Sequence, residues 1–348
     1  MSFKRDINNY RRRIMRRITK NIGSAYSEPK KGDISISEIK HVLIIRPNHR
    51  LGNQLLLTPL VQEVINTFEG CKIDLFVKGG VAHPVFKNYV EINKIIKLPK
   101  KPFNNLYEYA KSWISIKQKT YDLVINGDKN SSSGRLLTQM AKAKIKVFGD
   151  IHEDIQKSYP DYEHISKYPV YNLRHYLSHL GLFNTITNMP VLDIKLNAAE
   201  IANGKNVLNG IIRNNKPTIC IYTNATGNKC YSEDWWTIFY NRLKIEYPNY
   251  NIIEMLPIEN TSQINFKAPH FYSQDLREMG AIIHNTNIFI AADNGVMHLA
   301  SAALTPCVGF FSVTNPNIYR PYGNGSVALQ TNNTNINDWI KAIDGILK

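Results

Sequence analysis

From residue 41 onward, short apolar runs alternate with longer segments whose apolar positions recur every three or four residues. "HVLIIR" (41–46), "KIDLFV" (72–77), "INKIIKL" (92–98), "DLVIN" (122–126) and "KIKVFG" (144–149) have the length and β-branched content of buried strands. Residues 54–68, 106–117, 134–143 and 169–182 carry a helical period between and after them. "NTITNMPVLDIKLN" (184–197) interrupts the pattern, which then restarts. Strands are expected at 218–223, 251–256, 288–292 and 307–311, and helices at 198–213, 233–247, 275–285, 296–304 and 335–347. The alternation predicts an α/β protein of two Rossmann-like halves, each with a parallel sheet. The first half spans residues 36–190 and the second 191–348, with a cleft between them as the expected ligand site.

The first 35 residues form a separate unit of arm and linker. Between residues 4 and 22, Ile7, Tyr10, Ile14, Ile18 and Ile22 share one helical stripe, with Met15 beside it. Arg11, Arg12, Arg13, Arg16, Arg17 and Lys20 fill most of the remaining surface. A narrow apolar face within a broad cationic one suits a helix lying on an anionic lipid surface; docking on its own protein is the alternative. Residues 1–31 hold ten Lys and Arg against two acids, so they carry +8 of the net charge of +15. No RNA-binding module accompanies the arm, and nucleic acid is not an expected partner.

Hydrophobic residues make up 43% of the 348, enough for a sizeable core in two domains. No apolar run reaches the roughly 20 residues a membrane span needs, and the N-terminus lacks the apolar region of a secretory signal. Cys71, Cys220, Cys230 and Cys307 are scattered, which suits a reducing compartment. P-loop, dinucleotide-fingerprint, zinc-protease and nucleophile-elbow motifs are absent, as is an Asp-x-Asp metal clamp.

Four strand ends carry polar groups suited to chemistry. In "IFIAADNGVMHLA", Asp293 or Asn294 can cap the following helix, Gly295 admits close backbone approach, and His298 sits in the first turn. The N–H groups of such a turn favour phosphate. In "YTNATGNKCYSEDWW", Thr223 ends a strand. Thr226, Gly227 and Asn228 then offer donors, and Lys229 offers a mobile cation for a diphosphate. "FFSVTNP" places Ser312 and Thr314 at the same sheet edge. "RPNHRLGNQLLLTPL" (46–60) places Arg46, His49, Arg50, Gly52 and Asn53 at a strand–helix turn.

Three of these stretches together resemble glycosyltransferase family 9, the bacterial heptosyltransferases of lipopolysaccharide core assembly. "RPNHRLGNQLLLTP" is similar to the family's Arg-x-x-x-x-Gly-Asp turn, and "TGNKCYSEDWW" to its Lys-Arg-Trp-Pro stretch. "ADNGVMHLASAALTPCVGFFSVTNP" is similar to Asp-[Ser/Thr]-Gly-x-x-His-x-x-Ala-Ala with its closing Gly-x-Thr-x-Pro loop. The resemblance spans roughly residues 41–348 and implies a GT-B fold, inversion at the anomeric carbon, and no cofactor or metal for nucleotide binding. It implies a nucleotide-sugar donor, possibly ADP-heptose, held by Lys229, Asp293, Asn294, Gly295 and His298, to which the strand-end reading adds Thr223, Thr226, Gly227 and Thr314 as donor-binding residues. A lipid-linked glycan acceptor would meet Arg46 and Arg50 at the inner face of the cytoplasmic membrane. The family's general base follows the loop glycine as an acid, whereas this chain has Asn53, whose amide cannot take a proton at neutral pH. His49 and Asp128 are the candidates to replace it. A non-catalytic sugar-nucleotide-binding relative, or an epimerase or hydrolase, is the alternative reading.

Overall fold

A computed structural model of the protein describes residues 10, 13–23, 29–32, 34–99, 106–129, 131–151, 153–182 and 188–347. Residues 1–9, 11 and 12 of the expected arm helix lie outside them, as do 24–28 and 33 of the linker. Helix α1 covers 13–19.

The first sheet comprises β1 (His41–Arg46), β2 (Lys72–Lys78), β3 (Ile92–Leu98), β4 (Thr120–Asn126) and β5 (Lys142–Val147), in the order β3-β2-β1-β4-β5. Its helices are α2 (Leu51–Leu55), α3 (Thr58–Thr67), α4 (Ala82–Phe86), α5 (Leu106–Lys117), α6 (Ser132–Met140), α7 (Glu153–Ser158) and α8 (Tyr168–His179). The second sheet comprises β6 (Thr218–Tyr222), β7 (Asn251–Met255), β8 (His270–Phe271), β9 (Ile288–Ala292), β10 (Cys307–Phe311) and β11 (Val327–Gln330). Its order is β11-β10-β9-β6-β7-β8. It is accompanied by α9 (Ala198–Ile212), α10 (Glu233–Glu246), α11 (Leu276–His284), α12 (Gly295–Ala302), α13 (Pro316–Tyr319) and α14 (Ile336–Leu347).

Strand pairings among the described residues are parallel throughout. Central strands of such sheets are covered on both faces, and β9 and β10 are accordingly buried at every position. Val42, Leu43, Ile44 and Ile45 of β1 are wholly buried, each contributing about 1.5–3 kcal/mol of hydrophobic stabilisation. The helix expected at 54–68 is instead two. Pro59 stands at the start of α3, where its missing N–H costs nothing, and α2 ends in a turn at Leu56. The short edge strands β8 and β11, and the helices α4, α7 and α13, have too few residues for a legible period.

The strand order decides where the site lies. Each sheet reverses direction beside its first strand, at β1/β4 and at β6/β9, and ligands of open α/β sheets sit in the crevice beyond such a reversal. Beyond β1 and β4 lie the Arg46–Asn53 turn and Gly127–Asp128, with the Gly127 N–H bonded to Ile45 O at 2.9 Å. Beyond β6 and β9 lie the Lys229 loop and Asp293–Gly295.

The two halves share one continuous apolar cluster, which runs from Val85 and Phe86 through Leu192 and Ile194 to Ile282 and Leu299. Residues 188–197 have no regular structure and are gripped from both sides. Tyr89 Oη donates to Asp193 O at 2.7 Å, and Gln62 Nε2 to Val191 O at 2.8 Å. Arg277 of α11, 4% exposed, closes the seam. It forms a fork with Glu200 (2.6 and 2.7 Å) and donates to Pro84 O (2.9 Å), Ile194 O (3.0 Å) and Lys195 O (3.1 Å). That guanidinium holds the Glu200 carboxyl down to about 2. On the far side, Ile165 N–H donates to Ile318 O (3.1 Å) and His164 Nε2 meets Arg320 O (2.9 Å). His164 Nδ1 accepts from Ser166 N–H, so Nε2 carries the proton. Burial lowers the His164 pKa to about 3 and keeps the ring neutral.

Candidate active site

The second half contributes a preformed charged cluster. Asp293 stands at the end of β9, 5% exposed, with its N–H bonded to Phe310 O at 2.9 Å. Its Oδ2 accepts from Thr314 Oγ1 at 2.6 Å and from Lys229 Nζ at 3.2 Å. Three strand ends (β6, β9 and β10) are thereby tied at one carboxylate. Lys229 closes a single 3-10 turn, Gly227–Lys229, that begins after Thr226; Gly227 takes φ +62°, where a side chain would be strained. The lysine keeps over a quarter of its side chain exposed, so it can follow an arriving anion while Asp293 stays put.

The turn after β9 assigns the helix cap. Asn294 Oδ1 accepts from the Val296 and Met297 N–H groups, both at 2.8 Å, and its Nδ2 donates to Asn224 O at 3.1 Å. Asn294 is therefore the cap and Asp293 is not. Two first-turn N–H groups already have partners, so α12 offers an anion less than an uncapped turn would. His298 is buried with its Nε2 4.0 Å from Asp293 Oδ1, and its Nδ1 has no partner among the described residues. Burial lowers its pKa to about 4, so it stands neutral, with a single N–H to give.

Thr223 does not reach this cluster. It is 1% exposed and donates to Glu254 Oε1 at 2.6 Å, while Ser262 holds Oε2 at 2.7 Å. Burial raises the Glu254 pKa, against those two hydroxyl bonds. The expectation of donor contact at Thr223 gives way to a structural role beneath the loop.

The first half contributes the Arg46–Asn53 turn. Arg46 is 1% exposed; one guanidinium nitrogen reaches Leu56 O at 3.4 Å, and Nε has no partner among the described residues. Its enclosure removes it from an open acceptor surface and leaves Arg50, which is exposed, as the cation able to meet an anionic acceptor. His49 is also exposed. Asn48 organises the turn: its Oδ1 accepts from Arg50 N–H at 3.2 Å, and its carbonyl accepts from Gln54 Nε2. Asn53 lies half-buried in α2, and Asp128 lies half-buried beyond β4.

The two halves meet at paired glycines. A Cβ on Gly52 would stand 2.9 Å from His298 Cδ2, and one on Gly295 would stand 3.3 Å from Leu51 Cβ. Helices α2 and α12 approach this closely only because neither carries a side chain there. Tyr319 of α13 is half-buried. Burial raises its pKa first, then Asp293 and Asp128 do, while Arg46 and Arg50 lower it. Its hydroxyl therefore feels the charges of both junctions. Nothing in the strand-end motifs singles out Tyr319; its only sequence signal is its place four residues after Asn315 at a strand end.

Two cavities flank the second sheet. One of about 450 Å³ opens beside Thr314 at the ends of β10 and β11. The other, about 310 Å³ and lined by Tyr240, Tyr247 and Asn251, lies at the opposite end of β7, away from these charged groups.

Residues 273–340 match the sequence model of glycosyltransferase family 9 (heptosyltransferase), a segment that includes Asp293, His298 and Thr314. No curated protein sequence matches the chain. Its fold is similar to that of the family 9 glycosyltransferase of Veillonella parvula, with a TM-score of 0.70 at 15% identity, covering 90% of this chain and 98% of that one. Heptosyltransferase WaaC of E. coli, solved with ADP, gives a TM-score of 0.65 at 15% identity over 88% and 99% of the two chains. ADP-heptose lipopolysaccharide heptosyltransferase II of E. coli gives 0.63 at 14% identity over 89% and 98%. A C-terminal segment of the chain thus matches the family 9 model in sequence, and nearly the whole chain shares the GT-B fold of these glycosyltransferases.

Proposed function

We propose that the protein is an inverting, metal-independent transferase that moves a sugar from a nucleoside-diphosphate donor to a lipid-linked glycan at a membrane surface. The Lys229–Asp293–Thr314 cluster at the β6/β9 reversal, facing the β1/β4 reversal across the paired glycines, carries this reading. Lys229 would turn from Asp293 to the diphosphate and balance charge as the glycosidic C–O bond breaks. Asp293, already holding Thr314, keeps Oδ1 for a sugar hydroxyl. ADP-heptose is the first donor to test, because the E. coli relatives are solved with ADP or named for ADP-heptose.

Asp128 is the proposed general base. It lies at the β1/β4 reversal, and its charge acts on Tyr319 together with that of Asp293, which supports a place on the acceptor side of the same cleft. The acceptor hydroxyl would attack the anomeric carbon opposite the phosphate. Asp128 would take its proton, and the bonding electrons would leave on the diphosphate. His49 is the exposed alternative, and Arg50 would meet an anionic acceptor.

The arm supports a membrane location. Tyr10 and Ile18 are each 67% exposed, and Ile14 and Met15 are exposed among cationic neighbours. The far end of α1 is anchored at the C-terminal edge of the first sheet: Arg135 Nε donates to Ile22 O at 2.9 Å, and Gly23 packs on Phe148. An apolar and basic face would thus lie at the acceptor side, on the anionic inner leaflet. No helix among the described residues is long and apolar enough to cross a membrane.

Asn53 favours a second reading, a relative that binds donor without transferring it. Product analysis with a panel of nucleotide sugars and lipid-linked acceptors separates the two. Transfer by the wild type, a loss of about 10²–10⁴-fold in Asp128→Asn, and near-normal rates in His49→Gln are expected. Full activity in Asp128→Asn would remove the assignment of the base, and donor binding without product would favour the second reading.

A further inference from the structure

The cavity of about 450 Å³ beside Thr314 differs in chemistry from the cluster it adjoins. Ser312, Val313, Thr314, Gln330, Asn332 and Asn333 line it, and none of its lining residues carries a charge. Uncharged amides and hydroxyls present both donors and acceptors, the pattern that matches a ring bearing several hydroxyl groups. Val313, 60% exposed, adds an apolar surface for the C–H face of such a ring.

The polar groups are held in place. Asn332 Nδ2 donates to Ser312 O at 2.8 Å, which leaves its Oδ1 to accept. Asn333 Nδ2 meets Gln330 Oε1 at 3.3 Å, which leaves Asn333 Oδ1 to accept and Gln330 Nε2 to donate. Beneath them Tyr231 Oη is shared with Thr331 Oγ1 at 2.7 Å and with Ser312, and its ring stacks on Trp235 at 4.2 Å. Tyr231 follows Lys229 by two residues, so the cavity floor and the cationic loop form one rigid piece. A charged end at Lys229–Asp293 passes through Thr314 into an uncharged, amide-lined end.

We infer that this cavity is a subsite for an uncharged sugar ring, supplied either by the donor or by the acceptor glycan. The inference rests on the transferase reading above and adds where a sugar is recognised. A ring there would lie beyond Asp293 on the β10/β11 side, away from the β7/β8 side of the sheet.

The test compares wild type with Gln330→Ala/Asn333→Ala and with Val313→Trp, which fills the cavity without touching its hydrogen bonds. Binding of free nucleoside diphosphate, of nucleotide sugar and of acceptor is measured for each by calorimetry. Nucleotide affinity should stay unchanged, while affinity for one sugar-bearing ligand falls about tenfold or more in both variants. A fall confined to nucleotide sugar assigns the ring to the donor, and one confined to the acceptor assigns it there. Unchanged affinity for both, or an equal fall for free nucleotide, overturns the subsite. Failure of the wild type to bind any nucleotide sugar would instead strike the transferase reading.

Discussion

Two strand–turn–helix junctions face each other across the cleft, and they are built to different standards. After β9, the polar groups of the turn are largely committed: Asn294 caps α12, and Asp293 holds Thr314 and Lys229. After β1, Arg50 stands at the N-cap of α2 with no side-chain cap bond, and His49 and Arg50 are exposed. The first junction is ordered without a ligand, as the proposed binding of a charged donor would need. The second offers exposed, adaptable groups, as suits an acceptor that can differ while the donor chemistry is kept. What they share is a glycine at the contact, so each limits how near the other can come.

Among substitutions, the largest expected effect comes from releasing the seam that holds the junctions face to face. Arg277→Ala removes the fork on Glu200 and three bonds to carbonyls and should cost about 3–5 kcal/mol of unfolding free energy, read by urea denaturation. A loss below measurement error would show that the remaining seam contacts hold the domains without it. Gly52→Ala comes next, because its Cβ would stand 2.9 Å from the His298 ring. Overpacking of about 1–3 kcal/mol should appear as a lower kcat with the fold intact, with Gly295→Ala milder because its nearest neighbours stand 3.3–3.4 Å away. The reverse ranking would mean that the contact tightens differently when ligand binds.

An effect of pH, separate from the substitutions, follows from protons. His298 and His164 have folded pKa values lowered to about 4 and about 3, below the ordinary 6.5, so the unfolded chain binds protons first as pH falls. Stability should be level above pH 6.5 and decline below it, toward pH 4 for His298 and pH 3 for His164. The slope is about 1.4 kcal/mol per pH unit for each histidine. Thermal melts across that range test the sign; a rise in stability on acidification would contradict it. The smallest expected effect is none: a chelator should leave the transfer rate unchanged, since Lys229 is assigned the charge balance that a divalent ion would otherwise supply.

Much of the architecture was legible because parallel strands buried on both faces read as unbroken apolar runs. β1, β9 and β10 fall on the residues their runs predict, and the edge strand β3 does so despite its exposed positions. α2 and α3 were not separable, because the apolar period runs through Pro59 and only the backbone shows the break. The cluster of Lys229, Asp293 and Thr314 was legible as three strand ends, but not that one carboxylate joins them. Thr223 and Arg46 were misplaced for a common reason: a polar residue at a strand end points to the crevice or into the protein with the same spacing, and burial alone decides which. Tyr319 and the seam built by Arg277 arise from contacts between halves far apart in sequence, so no local pattern announces them.

The central claim is that Lys229, released from Asp293, holds the donor diphosphate. Titration calorimetry of ADP and ADP-heptose into wild type and Lys229→Ala measures it directly. Binding by the wild type is expected, with an affinity about 10- to 100-fold weaker for both ligands in the variant and an unchanged melting profile. Equal affinity in the two proteins would contradict it.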